Sequence, residues 1–456
     1  MKQTINIDEQ KKSLNKIIGD LVRPIGITRS FNTWMAFLTM LLVVFLYAYY
    51  IQLRDGLGVA GIRDYVSWGL YIANFVFFVA ASLIGMLITA VLGLTGVKWI
   101  TPIARIAEII AIGFAAVAGL VIVSDMGRPE RLLNVFIHGR IQSPIIWDVT
   151  VVTVYVLISL ILLYLPLIPD LKILARNPSL PKWMQKIYSF LSINWKGSKP
   201  QYDILHRAIK IMSILIVPVA LSIHTVTSWL FASTTRDGWN STIFGPYFVT
   251  GAFVAGVGAL AIAMLFFRNN YKLHDYITDE HFDKIGKLLV LVSLVYLYFN
   301  VNEFLVPGYK VTPGGHSHVY ELLAGKHAFL FWGTQFIGLL LPIVLLIFKR
   351  FRKPAPLAFI SFFVVIGAWL KRYIIVIPTQ EHPFLPIQNV PDNFIFYKPT
   401  VIEISITLAS FVLTLMIISV LAKVFPIIPI WETAHEKGID EPEKLSQQEN
   451  PEISNN

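Results

Sequence analysis

The sequence predicts an all-α integral membrane protein with about ten transmembrane helices. Two observations carry that prediction. First, 55% of the 456 residues are hydrophobic and only 14% are charged, with a mean hydropathy of +0.64. A soluble domain carries about 25% charged residues, so this chain lacks the polar surface to remain in water. Second, ten apolar runs separate, at residues 34–53, 68–95, 102–123, 147–168, 207–230, 245–268, 287–306, 328–348, 357–377 and 401–425. Each supplies the roughly 20 helical residues that cross a hydrocarbon core of about 30 Å.

The first 33 residues are polar and mixed in charge. They lack the short apolar core and small-residue cleavage site of a signal peptide, and none is expected. Pro218 and Pro342 fall inside runs, where neighbouring helices can satisfy the freed carbonyls. In the long loop 169–206, the segment from Leu180 to Trp195 mixes Lys182, Trp183 and Lys186 with apolar residues. That composition suits a short helix lying in the headgroup layer. The tail after Trp431 is polar and acidic and is expected to be unstructured. Gly69-Leu70-Tyr71 and Gly245-Pro246-Tyr247, 176 residues apart, open the second and sixth runs, a faint sign of a duplicated bundle.

With ten spans, both termini and the even-numbered loops share one side. That side holds 21 Lys and Arg against 9 on the other. The positive-inside bias then places both termini in the cytoplasm of a bacterial inner-membrane protein. The net charge of +10 is therefore a topology signal, and no nucleic-acid partner is expected. Cysteine is absent, which excludes a disulfide framework, a thiolate-held iron–sulfur cluster and a cysteine nucleophile.

Ionisable residues inside spans are costly and become candidates for function. On the predicted topology, Tyr71 and Asn74 open the second span at the outer face. Asp125 and Arg128 follow the third, His138 lies in the next loop, and Trp147-Asp148 begins the fourth. His224 sits six residues, about 9 Å of helix, below the outer end of the fifth. Their convergence on one shallow zone suits a quinone headgroup. Quinol oxidation needs an acceptor for each hydroxyl proton, a role open to His138, Asp148 and His224, with Tyr71 and Asn74 as orienting partners. Each has a structural reading too. Asn74 can cross-link helices, Asp125 and Arg128 can pair in an interfacial turn, His138 can be an exposed loop residue, and Asp148 can cap the fourth span. His224, alone in an apolar span, needs a partner.

The second half carries another polar set. Asn300, Asn302 and Glu303 end the seventh span outside, Glu403 begins the tenth, and Lys371-Arg372 lies deep in the ninth. A buried cation pair requires carboxylates or water, so Glu303 or Glu403 is the expected counter-ion. The cluster reads either as a proton path or as a static salt bridge. Arg105 and Glu108, three apart in the third span, are placed to pair and to begin a proton entry path, or to form an interfacial pair alone. His316-Ser317-His318 is a weak metal signal without a third ligand, and no metal site is assigned. Only His224 lies clearly within a span, so no intrinsic haem pair is expected.

At these residues the sequence resembles the membrane-anchor subunits of the polysulfide reductase type (NrfD/PsrC). Trp68-Gly69-Leu70-Tyr71-Ile72-Ala73-Asn74, Ala104-Arg105-Ile106-Ala107-Glu108 and Asp125-Met126-Gly127-Arg128-Pro129-Glu130-Arg131 carry the resemblance. More narrowly it is similar to the ten-span quinone-site subunit of bacterial alternative complex III (ActC). That likeness rests on Asn194-Trp195-Lys196-Gly197, on Ser222 to Trp229, on Gly238 to Phe248, on Asn302 to Lys310, on His382-Pro383-Phe384-Leu385-Pro386 and on Pro429-Ile430-Trp431-Glu432. Leu230 stands where that subunit is expected to carry an acid.

The resemblance implies two four-helix bundles, at 68–230 and 231–377, plus two peripheral helices. It also implies a menaquinol or ubiquinol site near the periplasm in the first bundle, at the positions of His138 and Asp148. Electrons would leave to a periplasmic iron–sulfur subunit and then to c-type haem subunits, beside other membrane subunits of the complex. The chain itself would hold neither haem nor an iron–sulfur cluster, and it would contribute to proton translocation. A quinone-reducing anchor of a sulfur or polysulfide reductase is the near alternative. A secondary transporter, with Lys371-Arg372 in its substrate site, is the alternative from another class.

Overall fold

A computed structural model of the chain describes residues 7–234, 236–310, 312–382, 389, 391, 394 and 396–439. Most of the 382–386 motif and the last seventeen residues lie outside them. Ten helices are long and apolar enough to cross a membrane: Arg29–Asp55, Leu70–Val91, Thr101–Ser124, Pro144–Ala175, Lys199–Ala232, Phe244–Asn270, Asp279–Lys310, Ala328–Ile347, Pro354–Val376 and Val401–Val424, called spans 1 to 10 below. Every apolar run thus becomes a helix. Among the described residues every regular element is helical, as a bilayer demands when each backbone polar group must be satisfied within its own segment.

Several helices outrun the apolar stretches because polar residues cap them. Span 5 starts at a capping box in which Ser198 and Gln201 satisfy each other's backbone N–H groups. Span 7 begins with Asp279 and Glu280, which complement the positive end of the helix dipole. Span 10 is started by a second capping box, Thr400 with Glu403.

Spans 2, 3, 4 and 5 close into one ring of four helices, and spans 6, 7, 8 and 9 into another. The rings meet where span 2 packs on spans 6 and 9 and where span 5 packs on span 6. Span 1 packs on span 10, and span 10 on span 3, outside the rings. Span 2 is consequently the core of the molecule, and every residue from Leu70 to Ser82 is buried. A helix apolar on all sides is the kind that can be surrounded in this way. Spans 8 and 9 touch backbone to backbone. A Cβ on Gly338 would stand 2.8 Å from the Gly367 Cα, so only glycine permits that approach.

The termini lie at one end of the bundle, the proximal end; the opposite end is distal. At the proximal end an amphipathic helix, Ile7–Val22, packs on a short helix, Ile430–Glu436. The tail expected to be unstructured after Trp431 is therefore ordered for another turn. The cause is a set of buried bonds: Trp431 Nε1 donates to Pro166 O at 2.8 Å, and Trp431 N donates to Asp170 Oδ1 at 2.9 Å. Within the predicted Leu180–Trp195 segment, Lys182–Leu191 is helical. Its Met184 and Tyr188 are buried while Trp183, Ile187 and Phe190 are exposed, the division expected of a helix half-sunk in the headgroup layer.

Candidate functional site

At the distal end a cleft of about 290 Å³ opens between spans 4, 5 and 6, lined by Trp147, Trp229, Ser233, Asn240, Ser241 and Thr242. Its walls are aromatic and its floor is polar. Trp147 and Trp229 meet edge to face at 6.2 Å, and Trp147 Nε1 donates to Ile141 O, which fixes the ring. Ser241 Oγ donates to Glu303 Oε2 at 2.8 Å, so a buried carboxylate of span 7 backs the cleft.

Asp148 follows Trp147 and points inward. It is 4% exposed and accepts from Thr227 Oγ1 of span 5 at 2.5 Å. It is not the cap of span 4, since the N-cap position belongs to Ser143. His224 lies one turn inward of Thr227, buried, with Nε2 lacking any hydrogen-bond partner. His138 caps the short helix Asn134–Ile137 and is exposed. No hydrogen bond or ion pair joins it to Asp148, whose partner is Thr227 instead. The side-by-side arrangement of His138 and Asp148 is thus not formed, because span 4 turns Asp148 toward span 5 and away from the loop.

The remaining first-half residues form a second distal cluster, among spans 1, 2, 3 and 10. Tyr71 OH donates to Gln52 Oε1 at 2.5 Å, and Gln52 Nε2 donates to Ser124 O at 2.7 Å. Asn74 accepts from Trp369 Nε1 and donates to Thr407 Oγ1, both at 2.7 Å, and so cross-links spans 2, 9 and 10. Asp125 caps span 3 with Oδ1 buried and unpartnered, while Arg128 is exposed and makes no ion pair with it. Burial, reinforced by the nearby Glu403 carboxylate, pushes the Asp125 carboxyl up to about 7. One convergent zone in sequence is two clusters in space, because span 2 turns Tyr71 and Asn74 toward spans 1, 9 and 10.

A third group fills the second ring. The Arg372 guanidinium occupies the space that a side chain on Gly251 would need, 2.9 Å from an added Cβ, and stands over the Phe248 ring at 5.2 Å. It is also the charge that acts on His224 across the ring interface. Lys371 Nζ makes no hydrogen bond and is faced by the rings of Phe304, Phe331 and Tyr247 at 4.5, 5.5 and 5.7 Å. Glu303 is the carboxylate acting on it, without direct ion-pair contact. Tyr247 OH donates to Asn300 Oδ1 at 2.8 Å, and Asn300 Nδ2 donates to Gln335 Oε1 at 2.6 Å. A cavity of about 20 Å³ beside Lys371, Arg372 and Gln335 has room for one water molecule.

Glu403 is not the counter-ion of this pair. Its carboxylate accepts from Gly61 N at 2.8 Å, Thr400 N at 2.9 Å and Tyr397 OH at 2.5 Å. Those bonds tie the loop after span 1 to the start of span 10, and Tyr397 OH in turn accepts from Leu70 N at 2.8 Å.

The family model described as polysulphide reductase, NrfD, matches residues 58–383, more than two thirds of the chain. The chain belongs to this family. The match encloses Asp148, Thr227, His224, Ser241, Glu303, Lys371 and Arg372, and ends before Glu403. Among individual NrfD-type relatives, a membrane subunit from Halobacterium salinarum, named for a dimethyl sulfoxide reductase, is 28% identical over 72% of each chain. A selenate reductase subunit of Mesobacillus selenatarsenatis is 25% identical over 88% of this chain and 95% of its own. The Hdr-like menaquinol oxidoreductase integral membrane subunit of Archaeoglobus fulgidus is 22% identical over 87% of this chain and 92% of its own.

At the proximal end of this NrfD-family chain, Arg105 does not pair with Glu108. Arg105 Nη1 lies 2.5 Å from Asp170 Oδ2, and the guanidinium also donates to Pro166 O and Pro426 O. Glu108 instead borders a cavity of about 430 Å³ with His206, Lys210, Ser213 and Glu432. Burial pushes the Glu432 carboxyl up to about 7. Asp170 went unpredicted because Pro169-Asp170 reads as the start of a loop, whereas the helix continues to Ala175. His316 and His318 occupy one helix, Pro313–Leu323, two positions apart. His316 is exposed and His318 buried, so they cannot share an ion. The residues lining the distal cleft from span 5 to span 6 were also missed as site residues. The run Trp239-Asn240-Ser241-Thr242 between two apolar spans was the signal that could have found them.

Proposed function

We propose that this chain is the quinone-interacting membrane subunit of a respiratory oxidoreductase complex, oxidising a menaquinol or ubiquinol at the distal cleft. The observation that carries the reading is the aromatic cleft beside Asp148, a buried carboxylate held only through Oδ1 by Thr227. The naming of the Archaeoglobus fulgidus relative for menaquinol supports a quinone of that kind. The quinol ring stacks against Trp147 and Trp229, and Asn240, Ser241 and Thr242 offer hydrogen bonds to its oxygens. One hydroxyl proton passes to Asp148 Oδ2 as two electrons leave the ring. His224, whose Nε2 is free, takes the second.

The electrons go to a periplasmic iron–sulfur subunit and on to c-type haem subunits, since this chain has no cysteine to hold a cluster. The distal end faces the periplasm, with both termini in the cytoplasm, on the strength of the 21-to-9 excess of basic residues. The alternative complex III type is the narrower assignment, resting on the motif runs from Asn194 to Glu432. Proton translocation is part of the proposal. The Ser241–Glu303 contact leads from the cleft to Lys371, Tyr247, Asn300 and Gln335, and the Glu108 cavity offers entry from the proximal end. Arg105 and Glu403, engaged in structural bonds, are left out of the path.

Asp148→Asn in the assembled complex tests the site. Quinol:acceptor turnover is expected to fall by about 10²–10⁴, the range for loss of a general base. His138→Ala, at an exposed position, is expected to leave turnover near wild type. Wild-type turnover in Asp148→Asn, with partner content unchanged, would refute the assignment.

A further inference from the structure

The largest cavity of the described chain lies away from all of these residues. It is a crevice of about 670 Å³ between spans 1 and 6, backed by spans 3, 9 and 10. Its walls are apolar, with Trp34, Phe114, Phe266 and Leu415 among them. Its mouth at the proximal end carries Arg23, Lys272 and Lys423, and no Asp, Glu or His lines it anywhere. None of the three cations has an ion-pair partner among the described residues. Lys423 Nζ donates to Pro24 O at 2.8 Å and faces the Tyr271 ring at 5.0 Å, which holds its charge at the mouth.

The dimensions are those of one leaflet. Lys423 at the mouth and Phe411 at the inner end stand twelve residues apart on span 10, about 18 Å of helix. Half of a hydrocarbon core of about 30 Å is of this size. Three cations at the headgroup level, above an apolar slot reaching the midplane, match an anion joined to an acyl chain. A quinone fits less well, because its redox step requires a proton acceptor and the crevice contains neither histidine nor carboxylate.

We propose that this crevice is a binding site for an anionic phospholipid, its phosphate held by Arg23, Lys272 and Lys423 and an acyl chain lying between spans 1 and 6. Each cation near a membrane surface contributes roughly a fivefold preference for an anionic lipid. The three together should favour phosphatidylglycerol over phosphatidylcholine by on the order of 100-fold.

The test is native mass spectrometry of the full chain purified in detergent, titrated with each lipid. Phosphatidylglycerol should stay bound where phosphatidylcholine does not. The triple variant Arg23→Gln, Lys272→Gln, Lys423→Gln should lose that preference. If the triple variant does not fold, Lys272→Gln alone, at an exposed position, should still lower phosphatidylglycerol retention about fivefold. Ala263→Trp fills the slot while leaving all three charges, and should expel the lipid, whereas mere attraction of free phosphate to the cations would survive it. Equal retention of the two lipids, indifference to the charge variants, or displacement of the lipid by a menaquinone analogue would each overturn the proposal.

Discussion

Arg105 and Asp170 form a fully buried ion pair, Nη1 to Oδ2 at 2.5 Å, that joins span 3 to span 4 and holds the returning C-terminal segment against both. Asp170 also accepts from Ile430 N at 3.1 Å and from Trp431 N at 2.9 Å. One carboxylate therefore compensates a buried guanidinium and satisfies the first N–H groups of the helix Ile430–Glu436. Breaking such a pair from one side strands a charge, at a cost of about 3–5 kcal/mol. Asp170→Ala should lower the thermal midpoint of the purified chain sharply. The double variant Arg105→Met, Asp170→Ala should recover part of that loss. A double variant no more stable than the single would show that the stranded charge is not the cause.

Glu403 should behave as a structural carboxylate. Glu403→Gln replaces an ionised acceptor of three bonds by a neutral group, and hydrogen bonds to charged groups are worth about 1.5–3 kcal/mol each. Protease sensitivity of the loop after span 1 should rise and the melting midpoint fall. Coupled proton uptake in proteoliposomes, per complex assembled, should stay at the wild-type ratio. A changed ratio at unchanged stability would return Glu403 to the proton path.

The Asp125 carboxyl, raised to about 7 by burial and by Glu403, makes stability depend on pH. An exposed aspartate titrates near 3.9, so between about pH 4 and pH 7 the folded chain keeps a proton that the unfolded chain has released. Stability from this group is therefore greatest on the acid side and declines as pH rises toward 7. Melting midpoints at pH 5 and pH 7.5 should differ less in Asp125→Asn than in the wild type. An identical difference in both proteins would assign the titration elsewhere.

The orientation is open to direct labelling, since the chain contains no cysteine of its own. Arg140→Cys and Tyr320→Cys sit at exposed distal positions. Both should react with an impermeant maleimide in cells whose outer membrane alone is permeabilised. Trp183→Cys, exposed on the proximal helix Lys182–Leu191, should react only after lysis. The reverse pattern would place the cleft on the cytoplasmic side and end the periplasmic electron-exit proposal.

The number, type and limits of the spans were legible in the sequence because membrane insertion reads local hydropathy, and each run of some twenty apolar residues must close its own backbone bonds. Trp147 and Asp148 were legible as site candidates for a related reason, since a polar pair at the edge of an apolar run must sit near an end of its helix. What the run does not encode is rotation about the helix axis. A span apolar on every side carries no periodic stripe to say which neighbour a given residue meets. That is why Arg105 chooses Asp170, 65 residues away, over Glu108 on its own helix. It is also why Glu403 turns to Gly61 and Tyr397 while Lys371 is left to Glu303. His138 and Asp148, ten positions apart, part company because one stays in the loop and the other is rotated onto Thr227. Only the packing of the two rings, which brings His224 of span 5 within reach of Arg372 of span 9, decides which buried polar groups share a site. Each must find its partner on another helix, because the bilayer offers none.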